Sequence, residues 1–204
     1  GWCFANDKGW DETLSLINAA AGLEVERFGV APVSWPEIRA ELSGWSDTRG
    51  AKVVDRDELA ALGAACRQAG KRVVFTNGCF DLLHVGHVTV LQQAADLGDV
   101  LVVGINSDAS VRRLKGPGRP VIGERDRATL LAALGCVSHV VVFDEETPLD
   151  LLQRLRPDVL VKGGTYRIDE VVGREIVESY EGEVRVVGYV EGVSTTRILA
   201  GLKL

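Results

Sequence analysis

Two histidines three residues apart, His84 and His87, are the residues best placed to do chemistry. They end a run that begins at Thr76 and reads Thr-Asn-Gly-Cys-Phe-Asp-Leu-Leu-His-Val-Gly-His. A β-branched segment precedes the run and an amphipathic segment follows it, so the run connects a strand to a helix. Helix N-termini attract anions, and histidines three apart share one face of the first turn. We therefore expect both imidazoles to hold the phosphates of a nucleoside triphosphate and to act in catalysis.

The glycines of the same run also favour a phosphate site. Gly78 permits a tight turn, and Gly86 allows a phosphate to approach the backbone closely. Two other interpretations stay open: the histidines are ordinary residues of a helix start, or they bind zinc. Zinc requires further ligands nearby, and only Cys79 and Asp81 offer themselves. We assign no residue to a metal.

A second anion-binding turn is predicted near the C-terminus, where the letters Glu-Gly-Val-Ser-Thr-Thr-Arg begin at Glu191. Hydroxyl side chains cap the free amides of a helix start, and such amides also bind anions. An ordinary helix cap is the alternative, but the pairing with the histidine run favours a nucleotide. The predicted nucleotide-binding residues are Thr76, Asn77, Gly78, Cys79, Phe80, Asp81, Gly86, Gly192, Val193, Ser194, Thr195 and Thr196.

Basic side chains are concentrated in residues 112–127, where six basic residues accompany only two acidic ones in a chain of net charge −6. Cations can neutralise charge on a transferring phosphorus and on departing pyrophosphate. We predict that Arg113 and Lys115 join the two histidines in catalysis; a solvated basic loop is the alternative. Residues 115–123 contain three glycines and two prolines, which predicts a mobile, charged active-site loop.

A third segment, residues 159–166, combines a buried strand with a cation and bare backbone. It reads Val-Leu-Val-Lys-Gly-Gly-Thr-Tyr, so a lysine and two glycines follow the apolar residues at the strand end. Ligands of open α/β sheets bind beyond the carboxyl ends of the strands. We predict an acceptor pocket there, with Arg119, Lys162, Gly163, Gly164 and Tyr166 binding the substrate.

The elements that must position these residues alternate between short β-branched and longer amphipathic segments. Strands are predicted at residues 72–76, 100–105, 139–143, 159–162 and 184–189. Helices are predicted at residues 57–69, 87–97, 124–134, 149–155 and 175–180, with a last helix from Ser194. This alternation predicts an α/β fold with a doubly wound, five-stranded parallel sheet.

Bulk composition restricts the class of protein. The chain of 204 residues is 46% hydrophobic and 25% charged, without an apolar run of membrane-spanning length, which predicts a soluble cytoplasmic protein with no membrane contact. The acidic net charge argues against nucleic-acid binding. Four cysteines without Cys-x-x-Cys spacing favour reduced thiols. The lack of methionine and of a secretory signal leads us to expect a fragment or a processed chain.

Residues 1–50 differ from the rest and carry no catalytic or phosphate-binding constellation. They predict helices at 12–23 and 37–42, then a glycine-containing linker, so we divide the chain into a short helical appendage, residues 1–50, and a main domain, residues 51–204.

The motifs together resemble the cytidylyltransferase-like nucleotidyltransferases, which pair a His-x-Gly-His loop with a late Ser-Thr-Thr helix start. Within that family the chain is most similar to the bacterial D-glycero-β-D-manno-heptose 1-phosphate adenylyltransferases. The shared motifs, which extend over about residues 70–200, include Asn-Ser-Asp-Ala-Ser from Asn106, Arg-Leu-Lys-Gly from Arg113, Arg-Pro-Val from Arg119, Thr-Pro at Thr147 and Leu-Val-Lys-Gly-Gly from Leu160.

The resemblance implies transfer of AMP from ATP, with Mg²⁺ on the triphosphate, to heptose 1-phosphate. Residues 18–23 and 29–34 are similar to the C-terminal end of ribokinase-like sugar kinases, which precede the adenylyltransferase in bifunctional heptose enzymes. The kinase's own catalytic motifs are absent, so the resemblance implies a kinase remnant whose catalytic part is missing or supplied separately. We also expect a homo-oligomer.

Two departures and two alternatives qualify the resemblance. Thr165 stands where the family commonly has Asp, which leaves detailed acceptor contacts open, and Ile122-Gly123 replaces its usual Asn-Pro. One alternative is a cytidylyltransferase for glycerol 3-phosphate or another alcohol phosphate, since phosphate-holding motifs do not read the base. The other is a catalytically silent nucleotide-binding module that partners a kinase.

Overall fold

The computed structural model describes residues 52–164 and 166–188, together with Thr195, Ile198 and Gly201. All of them belong to the second of the two units into which the chain divides, Lys52–Leu204. The predicted appendage of residues 1–50 and the start of the predicted last helix at Ser194 lie outside the described residues. Within the described part of the chain, no helix is long and apolar enough to cross a membrane.

The centre of the domain is a parallel sheet of six strands in the order β1-β4-β3-β2-β5-β6. Their bounds are β1 Val53–Val54, β2 Val73–Gly78, β3 Val100–Asn106, β4 His139–Phe143, β5 Val159–Gly163 and β6 Glu183–Val187. Every neighbouring pair is parallel. Parallel strands need covered faces and crossover connections, which the alternating sequence pattern provides. The predicted doubly wound α/β fold is confirmed.

The sheet has one strand more than the five predicted. The additional strand, β1, contains only two residues and pairs Val53 with Val140 and Val54 with Val141. Two residues are too few to show a strand period, which is why the pattern gave no signal. The Lys52 side chain fastens this edge because its Nζ donates to the carbonyl of Val137 at 2.8 Å.

Helices connect the strands close to the predicted positions. Their bounds are α1 Arg56–Gln68, α2 Val85–Ala95, α3 Asp108–Lys115, α4 Glu124–Ala132, α5 Leu149–Leu155 and α6 Arg174–Glu178, with a 3-10 turn at Ile168–Glu170. A capping box starts α1: the Asp55 side chain accepts from the N–H of Glu58, and the Glu58 side chain accepts from the N–H of Asp55.

Helix α3 is the element that the periodicity did not reveal. It starts at a Ser107 cap whose hydroxyl accepts from the N–H of Ser110 at 3.1 Å, and it ends at Gly116 with φ of 93°. An acidic residue lies in its first turn and three basic residues in its last turn, as the helix dipole favours. These cap and charge signals mark a helix even though only eight residues carry it.

Two apolar layers cover the two faces of the sheet. Residues alternate between the layers along β2: Val73 and Phe75 pack with α1, α5 and α6, whereas Val74 packs with α2 and α4. All three side chains are almost fully buried. Since successive strand residues point to opposite faces, this alternation is the signature of a sheet with helices on both sides.

The strand order reverses at β2, which lies between β3 and β5. The chain proceeds from β2 to β3 and β4 on one side, and then crosses to β5 and β6 on the other. At such a switch point the connections leave the sheet in opposite directions, and a crevice opens beyond the carboxyl ends of the strands. The histidine run follows β2 and therefore starts at this crevice.

Candidate active site

A cavity of about 570 Å³ lies at the carboxyl ends of β2, β3 and β5, against the start of α2 and the end of α3. Its size lies in the range typical of pockets for small-molecule ligands. The sheet brings together residues from four separate sequence motifs there. The predicted site residues that line the cavity are Asn77, Gly78, Cys79, Phe80, Asp81, His84, Gly86, His87, Lys115, Arg119, Lys162, Gly163, Tyr166 and Thr195.

Other predicted site residues occupy different places. Thr76 is buried within β2, and Gly164 follows β5 with φ of 121°. Arg113 is exposed and donates from its guanidinium to the carbonyl of Asp144, outside the residues that line the cavity. Of the predicted second anion-binding turn, only Thr195 is described, and its hydroxyl lies 3.5 Å from the carbonyl of Leu82. Gly192, Val193, Ser194 and Thr196 lie outside the described residues.

The two histidines stack against each other at the start of α2. Their ring centroids are 3.8 Å apart and their planes differ by 21°. His84 is the cap residue of α2, but its side chain makes no capping hydrogen bond. The Nδ1 atoms of both rings are buried and have no hydrogen-bond partner among the described residues. Buried polar groups are normally paired, so this pair of imidazoles has unused hydrogen-bonding capacity in the cavity wall.

Both imidazoles are neutral at physiological pH. Burial, together with the neighbouring His84 imidazole, lowers the pKa of His87 to about 4. Burial likewise lowers the pKa of His84. Two stacked rings cannot both carry a positive charge without strong repulsion. The pair can therefore donate N–H hydrogen bonds to an anion, and a bound polyanion would favour uptake of a proton.

The ring of Phe80 packs against that of His87. Its ring centroid lies 5.1 Å from that of His87, with the planes at 57°. Its backbone has φ of 46°, a conformation that non-glycine residues rarely adopt and that costs about 1 kcal/mol or more. Such strain persists where surrounding contacts impose it, and here it turns the chain between β2 and α2. Phe80 was predicted to flank the nucleotide; the described contact is with a histidine.

Asp81 connects the histidine run to the loop of residues 116–123. Its carboxylate accepts from the N–H of Val121 at 2.6 Å and of Ile122 at 3.1 Å, and from the guanidinium of Arg119. Burial alone would raise the pKa of Asp81, but the Arg119 partner and the two N–H donors outweigh it and hold the pKa below its ordinary value. The loop predicted to be mobile is therefore anchored at residues 119–122.

Lys162 is a largely buried cation at the end of β5. Its Nζ donates to the side-chain oxygen of Asn77 at 2.6 Å and to the Asn77 carbonyl at 3.2 Å. Burial lowers the pKa of Lys162 to about 8. The lysine is thus charged at neutral pH but readily loses its proton, and it joins the ends of β2 and β5 across the switch point.

Glycine is required at positions 163 and 164, directly after Lys162, for two different structural reasons. A Cβ on Gly163 would lie 2.5 Å from a methyl carbon of Val90 in α2, so only glycine fits between the strand and the helix. Gly164 has φ of 121° and places Tyr166 beside the cavity, where the tyrosine is 55% exposed. The glycine pair serves packing and chain reversal, in addition to any ligand.

The basic segment 112–127 divides among several places. Lys115 and Arg119 line the cavity. Arg112 and Arg125 line a different cleft, near Ser107 and Asp144. Arg127 is buried and pairs with Asp108. A single polyanion site made of the whole segment, as its charge alone suggested, is therefore not what the structure contains.

Sequence reasoning assigned no site role to several residues of the cavity wall. Asn106 ends β3 and its amide donates to the hydroxyl of Ser110 at 3.0 Å. Glu146 is an exposed carboxylate on the same wall, and Val90 and Leu114 add apolar surface. The position of Asn106 at a strand's carboxyl end was the available signal. Among the described residues, no group of three or more His, Cys, Asp or Glu could hold a metal ion.

Comparison with known proteins agrees with this geometry. Residues 75–201 match the sequence profile of the family described as Cytidylyltransferase-like. The chain belongs to the cytidylyltransferase-like family, and its enzyme class is that of a nucleotidyltransferase, as the motifs predicted. The matched residues begin in β2 and include the histidine run, the anchored loop and the Lys-Gly-Gly segment.

The curated relatives are longer proteins. The chain is 55% identical over 199 residues to the Bifunctional protein HldE of Geobacter sulfurreducens, a match that covers 98% of this chain and 41% of that protein. It is 55% identical over 192 residues to the protein of the same name from Geotalea uraniireducens, covering 94% and 39%. The chain thus spans about two fifths of the length of these relatives.

A solved structure supports the fold. The lipopolysaccharide core biosynthesis protein of Thermoplasma volcanium is 26% identical to this chain, with a TM-score of 0.51. The match covers 59% of this chain and 98% of that one. Nearly the whole of that protein therefore shares its architecture with part of this chain.

Proposed function

We propose that this chain transfers AMP from ATP to D-glycero-β-D-manno-heptose 1-phosphate and releases pyrophosphate. The observation that carries the proposal is the stacked pair His84 and His87 in a cavity that also contains Lys115, Arg119 and Lys162. Neutral donors and cations converge there on a cavity of about 570 Å³. The motifs shared with heptose 1-phosphate adenylyltransferases support the choice of sugar.

The chemistry is a direct in-line displacement. An oxygen of the sugar 1-phosphate forms a bond to the α-phosphorus of ATP, and the bond from that phosphorus to the oxygen bridging to the β-phosphorus breaks. Pyrophosphate leaves with that oxygen, and ADP-heptose remains. Phosphoryl and nucleotidyl transfer need little protein nucleophilicity, so positioning of two anions and stabilisation of developing charge dominate catalysis.

The histidine run would bind the nucleotide. His84 and His87 would donate to phosphate oxygens, while the N-terminus of α2 presents further N–H groups and a positive dipole end. Lys115, at the end of α3, would neutralise charge on the departing pyrophosphate. The guanidinium of Arg113, on the same helix, would add positive charge near it without contacting the ligand. The remaining nucleotide contacts would come from residues 76–81, Gly86 and the turn of residues 192–196.

The opposite side of the cavity would bind the acceptor. Arg119, oriented by Asp81, and Lys162, oriented by Asn77, present two cations for a sugar phosphate. Tyr166 and the backbone of Gly163 and Gly164 would contact the sugar. Two anions brought face to face repel each other, so cations on both sides are the feature that this reaction requires.

Mg²⁺ bound to the triphosphate would supply additional neutralisation of charge. Mg²⁺ keeps several waters and binds mainly to phosphate oxygens in nucleotide sites, so it needs few protein ligands. On the cavity wall, Asp81 already accepts hydrogen bonds from the loop, and Glu146 offers an exposed carboxylate. The donor set therefore fits a metal that the nucleotide carries.

The decisive experiment measures pyrophosphate and the sugar nucleotide after mixing the chain with Mg-ATP and heptose 1-phosphate. We expect turnover with ATP and much slower turnover with CTP. Turnover with CTP and glycerol 3-phosphate in place of these substrates would instead identify a cytidylyltransferase. Nucleotide binding without pyrophosphate release from any phosphorylated acceptor would identify a silent binding module, and would contradict the proposal.

The wider organisation is also part of the proposal. We infer that residues 1–50 are the end of a ribokinase-like domain and residues 51–204 the transferase domain. Relatives named as bifunctional, of which the chain spans about two fifths, support this division. The enzyme would act in the cytoplasm as a homo-oligomer, on small phosphorylated molecules and not on nucleic acid. Sedimentation of the purified protein tests the assembly.

A further inference from the structure

Arg127 is a fully buried arginine whose three guanidinium nitrogens contact three different segments. The residue lies in α4 and is 1% exposed. Its Nη1 donates to the carbonyl of Cys79 at 2.6 Å, its Nε to the carbonyl of Ile122 at 2.9 Å, and its Nη2 to the carboxylate of Asp108 at 2.8 Å. Each of these segments leads to a part of the cavity.

The three contacts correspond to three parts of the proposed active site. Cys79 belongs to the run that ends in the histidines. Ile122 belongs to the loop that carries Arg119. Asp108 is the first residue of α3, whose last residue is Lys115. A single side chain thus fixes the relative positions of the nucleotide run, the acceptor loop and the helix with the catalytic lysine.

The arrangement is one that packing alone would not favour. A buried charge is stable only where partners satisfy it, and Arg127 has a carboxylate and two carbonyls for this purpose. The planar guanidinium donates in fixed directions, so it defines the geometry of its partners more strictly than a lysine could. An apolar residue would fill the same space in α4 without joining the loops.

Asp81 holds the same loop from the other side. It accepts from the N–H groups of Val121 and Ile122, whereas Arg127 donates to the carbonyl of Ile122. Both backbone polar groups of Ile122 are therefore hydrogen-bonded, the N–H to the carboxylate of Asp81 and the carbonyl to the guanidinium of Arg127. Both Asp81 and Arg127 are buried, so solvent does not compete for either contact.

We propose that Arg127 is a positioning residue, which together with Asp81 fixes the 119–122 loop and the histidine run in the geometry that binds both anions. This role rests on the proposed function for its catalytic consequence, but its structural part does not. Arg127 does not line the cavity and so acts through the residues it holds. A change of less than 1 Å in a phosphate-binding group is enough to lower turnover strongly.

The first test compares Arg127→Lys with Leu131→Ala, a matched control that removes buried apolar atoms from the same helix. Hydrogen exchange is followed by mass spectrometry in a peptide covering residues 116–123. We expect at least about tenfold faster exchange of this peptide in Arg127→Lys, with β3 unchanged, and no selective change in Leu131→Ala. Unchanged exchange in Arg127→Lys would overturn the proposal.

The second test measures binding and turnover of the folded protein. We expect Arg127→Lys to weaken ATP binding by about fivefold and to lower kcat by about tenfold or more, whereas Leu131→Ala changes each by less than about threefold. Faster loop exchange with normal ATP affinity and kcat would show that the contacts only stabilise the fold. If Arg127→Lys does not fold, Asp108→Asn serves instead, because it removes the charge of the carboxylate that pairs with the guanidinium. Asp108→Asn should lower ATP affinity and kcat by a smaller factor in the same direction. Unchanged ATP affinity and kcat in Asp108→Asn would overturn the role of Arg127.

A double-variant cycle separates positioning from general destabilisation. If Asp81 and Arg127 hold one loop, the losses in ATP affinity from Asp81→Asn and Arg127→Lys should fail to multiply. The fold-losses in ATP affinity from Asp81→Asn and Leu131→Ala, by contrast, should multiply in the double variant. If the losses multiply in both pairs, the proposal is overturned. ATP binding and exchange need no acceptor, so they decide the role of Arg127 even if heptose 1-phosphate proves not to be the substrate.

Discussion

Replacing Lys162 by methionine should stabilise the protein at neutral pH and at the same time abolish its activity. Burial lowers the pKa of this lysine from 10.5 to about 8, a difference of about 2.5 units. At 1.36 kcal/mol per unit, holding the charged form in the fold costs about 3 kcal/mol. Methionine has a similar shape and avoids this cost.

The gain is reduced by the hydrogen bonds that Lys162 makes. Without the ammonium group, the side-chain oxygen of Asn77 loses its partner at 2.6 Å, and an unsatisfied, partly buried oxygen costs roughly 1–2 kcal/mol. We therefore expect a net stabilisation of about 1–2 kcal/mol at pH 7. Since the cation would also be lost from the acceptor side of the cavity, turnover should fall by about two orders of magnitude or more.

The pH dependence of stability identifies the cause. Between pH 8 and 10.5 the unfolded state retains the lysine proton that the folded state releases, so wild-type stability should rise with pH over this window. The penalty is present in full below pH 8 and disappears above 10.5. The advantage of Lys162→Met should therefore shrink as the pH approaches 10.5.

Urea unfolding followed by circular dichroism at several pH values measures these differences. Lys71→Met is the matched control, because Lys71 is exposed and its replacement removes no buried charge. A less stable Lys162→Met protein at pH 7, or a difference that stays constant from pH 7 to 10.5, would refute the reasoning about the buried charge.

The other predictions concern the histidines and the strand that faces them. His87→Ala should unfold as wild type does but turn over about 100-fold more slowly, as steady-state pyrophosphate release will show; near-normal release would remove the histidine from its role. Burial favours the neutral form of both imidazoles in the free protein, whereas a bound triphosphate favours their protonation. ATP binding should therefore take up protons, and ATP affinity should increase as the pH falls from 8 to 6. Calorimetry in buffers of different ionisation enthalpy measures the proton uptake, and none is expected in His84→Ala/His87→Ala. Gly163→Ala should destabilise the domain by about 1–3 kcal/mol in thermal unfolding, because its Cβ would lie 2.5 Å from Val90; a stability equal to that of wild type would mean that α2 shifts freely.

The agreement between sequence and structure is strongest where a pattern has a local physical cause. The strand that becomes β4 has the bounds predicted for it, and β2 and β3 differ from prediction by one or two residues, because runs of valine and isoleucine between breakers have few alternatives in an α/β chain. The two-residue β1 and the short α3 were missed because neither is long enough to show a period. Helix α5, by contrast, has the bounds predicted for it, residues 149–155.

The positions of the basic side chains, unlike those of the strands, could not be predicted from the local sequence. Arg113, Lys115, Arg119 and Arg127 stand close together in the sequence and suggested one basic site. The fold places two of them in the cavity, turns Arg113 toward the Asp144 carbonyl and buries Arg127. Which direction a cation points depends on acids and carbonyls far along the chain, such as Asp81 and Cys79, and no local spacing encodes those partners.

The sequence by itself determined the class of fold, the nucleotidyltransferase motifs and the histidine pair, because each depends on the order of residues within one strand, turn or helix start. Only the tertiary structure decided that Asp81 is bonded to Arg119, that Arg127 is bonded to Cys79 and that Lys162 is bonded to Asn77. Those contacts join residues between 38 and 85 positions apart. They exist because parallel strands bring their carboxyl ends together at one edge, where burial strengthens every charge that finds a partner.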